Sequence, residues 1–191
     1  MTDLPIRVLS IPHSGTRFVK TLLKGWGVRH RLRHTIEIET DCIASDDGGS
    51  ETWKAVVPHM DPMFTEISRA RRAGKGEYGF GHEFDRPGLL VKQWLRLAKL
   101  RGNPNVHFFR IPPDEADVKK LADFCGLDRV LHWNQEPVGV WPEENVLKAR
   151  YLRGDVDEVL LPTWEWLKDL PEMHDFFSWL GYDDLPWMVE A

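Results

Sequence analysis

The sequence predicts an α/β fold in which helices flank a central parallel sheet in three layers. Up to about residue 128, short apolar runs rich in β-prone residues alternate with segments whose apolar residues recur at helical spacing. Parallel neighbouring strands need a crossover connection, and a helix is its usual form. Beyond Leu127 the alternation weakens and tryptophans become frequent. Residues 129–191 are therefore expected to form a helical or irregular extension packed on a core of residues 1–128.

The first strand and the first helix have the clearest sequence signals. Ile6–Ile11 is a short apolar run that Pro12 ends, which indicates a buried strand. Thr16 begins a segment that Gly25 and Gly27 close, and its apolar residues recur at helical spacing: Phe18, Val19, Leu22, Leu23 and Trp26. The predicted order is strand, tight turn, helix.

The later elements follow the same alternation. Further strands are expected at Thr35–Glu39, Trp53–Pro58 and Asn105–Ile111. Helices are expected at Met63–Ala73, Pro87–Leu100, Asp114–Cys125 and Pro162–Leu180, the last with an interruption at Pro171. The segments Gly74–Gly81 and Trp133–Glu143 are expected to be a loop and an irregular stretch.

Composition and charge argue against several classes of protein. The 191 residues carry a net charge of −5, so no overall basic surface for nucleic acid is expected and any anion site must be local. Cys42 and Cys125 are far apart in the chain, which argues against a disulfide framework or a zinc site. There is no apolar run long enough to span a bilayer and no signal pattern at the N-terminus. The sequence therefore predicts a complete, cytoplasmic protein of one domain.

The turn between the first strand and the first helix has the composition of a phosphate-binding site. A helix N-terminus offers backbone N–H groups and a favourable dipole to an anion. Gly15 permits close approach of the backbone, Ser14 and Thr16 add hydroxyl groups, and Arg17 adds a permanent charge. The turn lacks the G-x-x-x-x-G-K-[ST] pattern of common ATPases and GTPases. Ser10 occupies the first glycine position, and Thr16 occupies that of the lysine.

This turn resembles the 5′-phosphosulfate loop of the sulfotransferase family, and the matching segment is Pro12-His13-Ser14-Gly15-Thr16-Arg17-Phe18. A second segment, His59-Met60-Asp61-Pro62, is similar to the family's 3′-phosphate segment, and Ser68 follows Met60 by eight residues, as the family's serine follows its arginine. Met60 stands where the family has that arginine. A third, weaker similarity lies in His107–Arg110 and Leu121–Leu127, which resemble the family's later strand and the helix that follows it. The resemblance covers about residues 5 to 128 and implies a P-loop-like fold.

The resemblance implies a nucleotide donor, 3′-phosphoadenosine 5′-phosphosulfate, as co-substrate. Its 5′ end would be held by the turn residues His13, Ser14, Gly15, Thr16, Arg17 and Phe18. Its 3′-phosphate would be held by Ser68 together with cations that replace the absent arginine. The candidates for that replacement are His59, Arg69, Arg71 and Arg72.

The resemblance also implies in-line transfer of a sulfuryl group to a hydroxyl or amine, without a metal ion. His13 occupies the position of the family's catalytic lysine, and Arg17, Lys20 or Lys24 could compensate for the missing charge. His34 is the preferred candidate for the base that removes the acceptor proton, followed by His30 and Glu37. His82 and Glu83 are alternatives that could form a lid. The sequence predicts neither the acceptor nor the oligomeric state.

Two further hypotheses stay open at this point. A small-molecule or nucleotide kinase with a degenerate loop would need a carboxylate for Mg²⁺ at a strand end, and Asp61 is the obvious one. A binding module without catalysis would explain the departures at His13 and Met60, and the acidic, Trp-rich C-terminal third would then be its contact surface.

Overall fold

A computed structural model describes residues 6–11, 14–34, 54–74, 87–128 and 142–189. Its strands are β1 (Ile6–Ser10), β2 (His30–His34), β3 (Lys54–His59) and β4 (Val106–Arg110). Its helices are α1 (Thr16–Gly25), α2 (Pro62–Gly74), α3 (Pro87–Ala98), α4 (Glu115–Phe124), α5 (Pro142–Tyr151), α6 (Leu161–Lys168) and α7 (Pro171–Trp179), with a 3₁₀ helix at Glu158–Leu160. Among these helices, none has the length and apolar character needed to cross a membrane.

The four strands form one parallel sheet in the order β2-β1-β3-β4. Ile6 of β1 is in register with His30 on one side and with Lys54 on the other, so β1 is an interior strand. Interior parallel strands are covered on both faces, which explains the nearly continuous apolar character of β1 and β3. The predicted α/β fold, with a central parallel sheet and helices flanking it, is confirmed.

Among the described strands, β2 lies at an edge of the sheet, and the apolar pattern did not locate it. The predicted second strand, Thr35–Glu39, lies outside the described residues, and the structure has a strand at His30–His34. Four of these five residues are histidine or arginine, and the fifth, Leu32, packs against the core. Charged residues are tolerated at a sheet edge, where they discourage pairing with another chain.

The chain divides into two compact units. The first comprises residues 1–60 and 100–138 and contains the sheet, α1 and α4. The second comprises residues 61–99 and 139–191 and contains α2, α3, α5, α6 and α7. The sequence analysis drew its internal boundary at residue 128, whereas α2 and α3 are grouped here with the C-terminal helices.

The core of the first unit lies between one face of the sheet and the helices α1 and α4. Ile6 and Val8 are two residues apart on β1 and therefore point to the same face. The residues of this core are Ile6, Val8, Val19, Leu22, Leu23, Trp26, Val56, Phe109, Val118, Leu121 and Ala122. Burying each of the larger aliphatic or aromatic side chains stabilises the unit by about 1.5–3 kcal/mol.

The second unit has an aromatic core. Trp94 of α3 packs edge-on against Phe177 of α7, with 5.2 Å between ring centroids, and Phe177 in turn contacts Trp187 at 5.6 Å. Trp187 is fully buried, whereas Trp166 and Trp179 remain partly exposed. The tryptophans of the C-terminal third are thus divided between the core and the surface.

The helices of the C-terminal part confirm one prediction and extend it. The predicted helix with a break at Pro171 is present as α6 and α7, and Pro171 is the first residue of α7. The helix α5 was not predicted, because the sequence analysis assigned nothing between Glu143 and Pro162. Its apolar residues do not form one clear face, and Val146 lies exposed on it.

Asp61 forms a buried polar junction in the second unit. Its carboxylate accepts hydrogen bonds from the backbone N–H of Met63 at 2.9 Å, the hydroxyl of Tyr151 at 2.7 Å and the indole N–H of Trp187 at 3.4 Å. Desolvation raises the pKa of Asp61 to about 6, against the opposing effect of these three donors. Asp61 therefore caps α2 and connects it to two distant parts of the chain.

We expect Asp61→Ala to lower the free energy of unfolding by about 2–4 kcal/mol, because it removes a helix cap and leaves two buried donors unpaired. Urea denaturation followed by circular dichroism measures this loss. Asp155→Ala is the matched control, because Asp155 is an exposed carboxylate. Equal stability of the two variants would contradict a structural role for Asp61.

Candidate functional site

The turn after β1 lies where the strand order reverses. The connection through α1 leads from β1 to β2 on one side, and β3 lies on the other side of β1. In open α/β sheets, ligands bind outside the carboxyl ends of the strands at such a switch point. Ser10, His34 and His59 are the last residues of β1, β2 and β3, and Ser10 and His34 are in register. This edge is the candidate site.

Ser14 holds the turn in shape from within. Its backbone N–H and its hydroxyl both donate to the carbonyl oxygen of Ile11, at 3.1 and 2.7 Å, and the side chain is fully buried. The sequence analysis assigned the Ser14 hydroxyl to a phosphate. In the structure that hydroxyl is engaged inside the turn.

Gly15 is required by the backbone and by a close neighbour. It has a φ of 94°, a left-handed conformation that a side chain disfavours. A Cβ atom at this position would lie 2.5 Å from Cγ1 of Ile111. The backbone of Ile111 also donates to the carbonyl of His59 at 2.8 Å. Ile111 therefore connects the turn to the ends of β3 and β4.

The free backbone N–H groups at the N-terminus of α1 are not compensated by a side-chain cap or an acidic residue of the helix itself. Gly15 provides no side-chain cap, and the first turn contains no acidic residue. In the same unit, α4 begins with Asp114 in a capping box with Asp117, and Glu115 adds a second first-turn carboxylate. Because uncompensated N–H groups and the helix dipole favour an anion, α1 presents the more suitable anion-binding end.

Two buried hydroxyl groups flank this turn without a hydrogen-bond partner among the described residues. They are Oγ of Ser10, at the end of β1, and Oγ1 of Thr16, the first residue of α1. Leaving such a group unpaired costs about 1–3 kcal/mol. The indole N–H of Trp26 is also unpartnered in this unit, but it lies at the opposite end of α1. Sequence reasoning missed Ser10, whose lack of a partner only the packing reveals.

Arg17 and Phe18 have different environments. Arg17 is exposed in the first turn of α1, and within the described chain no carboxylate pairs with it. A cation at this end of a helix is unfavourable by about 0.3–1 kcal/mol unless an anion lies nearby. Phe18 stacks on Phe109 at a centroid distance of 6.4 Å and contributes to the core.

His59 is buried and neutral. Desolvation, followed by the charges of Arg110 and His107, lowers the pKa of His59 to about 3. It therefore brings no positive charge to this edge of the sheet. Arg110, in register with His59 on β4, is exposed and brings a cation to this edge of the sheet. The sequence analysis assigned no role to Arg110, because the β3–β4 pairing is a long-range contact.

The remaining site residues of the sequence analysis lie elsewhere or outside the description. Ser68 and Arg69 belong to the second unit, on α2, where both have carboxylate partners. The structure places the backbone of His34 at the carboxyl edge of the sheet. The residues His13, Glu37, His82 and Glu83 lie outside the described residues, as do the side chains of His34 and Arg72.

The carboxylate proposed for a kinase metal has another role. Asp61 is buried with three hydrogen-bond donors around it, so its oxygens are occupied inside the second unit. Among the described residues, no group of three or more histidine, cysteine, aspartate or glutamate side chains is arranged to hold a metal ion.

Comparison with known proteins gives no relative from which a role could be transferred. No protein-family model, no curated protein and no solved structure matches this chain. Its function must therefore be inferred from the residues and their geometry.

We expect Gly15→Ala to destabilise the protein by about 1–3 kcal/mol more than Gly27→Ala, because it adds a clash with Ile111. Gly27 also has a positive φ, of 71°, but nothing lies within 4 Å of a Cβ placed there. The control therefore reports only the backbone cost, about 1–2 kcal/mol. Thermal unfolding of both variants measures the difference. Equal costs would show that Ile111 does not restrict the turn.

We expect the contribution of His59 to the free energy of unfolding to depend on pH, because burial keeps this side chain neutral in the folded protein. Between pH 6.5 and about 3 the unfolded chain binds a proton that the folded chain does not. The free energy of unfolding should fall as the pH falls through this window, by up to about 1.4 kcal/mol per pH unit for this group. Comparing the native chain with His59→Asn by urea denaturation isolates this contribution. A stability difference that is constant from about pH 7.5 to pH 5 would contradict it.

Proposed function

We propose that the turn from Ile11 to Thr16 binds the 5′-phosphate or 5′-phosphosulfate group of a nucleotide. On this proposal the chain is a sulfotransferase-like enzyme that transfers a sulfuryl group from 3′-phosphoadenosine 5′-phosphosulfate to a hydroxyl or amine of an acceptor. The observation that carries the proposal is the uncapped start of α1, flanked by the buried, unpartnered hydroxyls of Ser10 and Thr16.

The chemistry of the turn favours an oxyanion over other ligands. The first backbone N–H groups of α1 and the guanidinium of Arg17 are donors, and the hydroxyls of Ser10 and Thr16 can donate as well. No carboxylate belongs to the first turn of α1, so a cation would gain nothing there. A phosphate or sulfate group accepts from all its oxygens and satisfies these donors together.

The proposal of sulfuryl transfer rests on the sequence of the turn and on the placement of His34. In such a transfer the acceptor oxygen or nitrogen bonds to sulfur, the bond from sulfur to the bridging oxygen breaks, and the acceptor proton passes to a base. His34 ends β2 in register with Ser10, which supports its assignment as that base. Arg17 would offset the negative charge that develops on the leaving phosphate.

A second candidate, a phosphate-binding module without catalysis, is favoured by the internal contacts of the turn. Ser14 and Gly15 are explained by Ile11 and Ile111 without reference to a ligand. His13 stands at the position of the family's catalytic lysine, and histidine is a weaker base than lysine. This candidate shares the anion site and differs only in the absence of turnover.

We expect calorimetry to detect binding of adenosine 3′,5′-bisphosphate without Mg²⁺, and Thr16→Val and Arg17→Ala to weaken it. Loss of one hydrogen bond to a charged group corresponds to a decrease in affinity of about 10- to 150-fold. Thr16→Val should also leave the ligand-free protein equally or more stable, because it removes a hydroxyl that has no partner. This opposite response of stability and affinity separates a ligand contact from a structural one.

Arg29→Ala is the matched control, because Arg29 is an exposed arginine just before β2, at the amino edge of the same sheet. Its affinity should equal that of the native chain. Binding of ATP only in the presence of Mg²⁺ would favour a kinase instead. If neither nucleotide binds, the anion site itself is refuted. Release of adenosine 3′,5′-bisphosphate from the sulfated donor would distinguish the enzyme from the binding module.

A further inference from the structure

Among the described side chains, those expected to recognise a 3′-phosphate are neutral, apolar or paired with carboxylates. We infer that the site does not select nucleotides by a 3′-phosphate, and that its ligand class is the nucleoside 5′-phosphates and 5′-phosphosulfates in general. This inference rests on the proposed function and specifies the class of ligand that the site selects. A cation is the strongest donor for selection of a 3′-phosphate, because a doubly charged phosphate loses much hydration on binding and charge-assisted hydrogen bonds offset that loss.

Ser68 and Arg71 belong to one buried cluster on Glu144. The hydroxyl of Ser68 donates to Oε1 of Glu144 at 3.2 Å, and Nε of Arg71 donates to the same oxygen at 2.6 Å. The side chains of Arg71 and Glu144 are 5% and 7% exposed. Releasing either residue to a ligand would leave the Glu144 carboxylate buried with fewer partners, which is strongly unfavourable.

Arg69 is engaged in a second pair of the same kind. Its Nη1 lies 2.9 Å from Oε2 of Glu66, and the two side chains are 8% and 14% exposed. Burial raises the pKa of Glu66, and the charge of Arg69 opposes this rise. Arg69 therefore favours the charged form of this carboxylate, and it is not a free phosphate ligand.

The described residues at the end of β3 itself carry no cation. His59 is buried and neutral, and the next residue, Met60, is half-buried and apolar. Arg110 lies beside His59 in the sheet, but it already interacts with other groups of the chain. Among the described residues, every one that the resemblance assigns to the 3′-phosphate is thus neutral, apolar or paired.

Calorimetry with adenosine 5′-phosphate and adenosine 3′,5′-bisphosphate tests the inference, because the two compounds differ only in the 3′-phosphate. A cation contact would favour the bisphosphate by about 10- to 150-fold. We expect instead equal affinities within about threefold, which is well below the effect of one charged hydrogen bond. A preference of tenfold or more for the bisphosphate overturns the inference and leaves the proposed function intact. Binding of neither compound overturns both.

The variant Met60→Arg tests whether a cation added at this position creates selection for the 3′-phosphate. We expect it to strengthen binding of adenosine 3′,5′-bisphosphate by at least about tenfold and to leave adenosine 5′-phosphate unchanged. Equal affinities of this variant for the two compounds, with thermal unfolding as in the native chain, would contradict the assignment of position 60 to the ligand. Arg110→Ala should alter neither affinity. Weaker binding of the bisphosphate alone in that variant would identify Arg110 as the cation and overturn the inference.

Discussion

The approach of Ile111 to Gly15 fixes the start of α1 relative to the sheet. Ile111 follows β4, donates to the carbonyl of His59 and fills the space that a side chain at Gly15 would need. Ser14 locks the same turn to Ile11. The amides at the start of α1 are therefore ordered before any ligand arrives, which lowers the entropic cost of binding one. These contacts explain the glycine and the serine without a ligand, but the hydroxyls of Ser10 and Thr16 have no partner among the residues that the structure describes.

Electrostatics at this edge of the sheet is local and uneven. The chain as a whole is negative, so an anion gains no general attraction from it. The helix dipole of α1 and the exposed Arg17 supply a positive field at the turn. At the end of β3, desolvation keeps His59 neutral, and Arg69 and Arg71 of α2 are paired with carboxylates. A ligand with one anionic group therefore matches the described charges better than a ligand with two.

Sequence alone could predict the elements whose signals are local. The strand β1, the capped helix α4 and the break at Pro171 each depend on residues next to one another. The strand β2 was missed because its edge position leaves it without an apolar pattern. The role of Asp61 was missed because its partners Tyr151 and Trp187 are far away in the chain. For the same reason, a sequence match could place Ser68 in a phosphate site, whereas the structure pairs it with Glu144.

The proposed enzyme differs from the proposed binding module in needing a base that removes a proton from the acceptor. Both hypotheses need the same donors at α1, and both are compatible with a neutral His59. Only catalysis needs a base at the edge where β1 and β2 end, and the register with Ser10 places the backbone of His34 there. On the proposed function, the change from lysine to His13 weakens charge stabilisation, whereas His34 remains the candidate for proton removal.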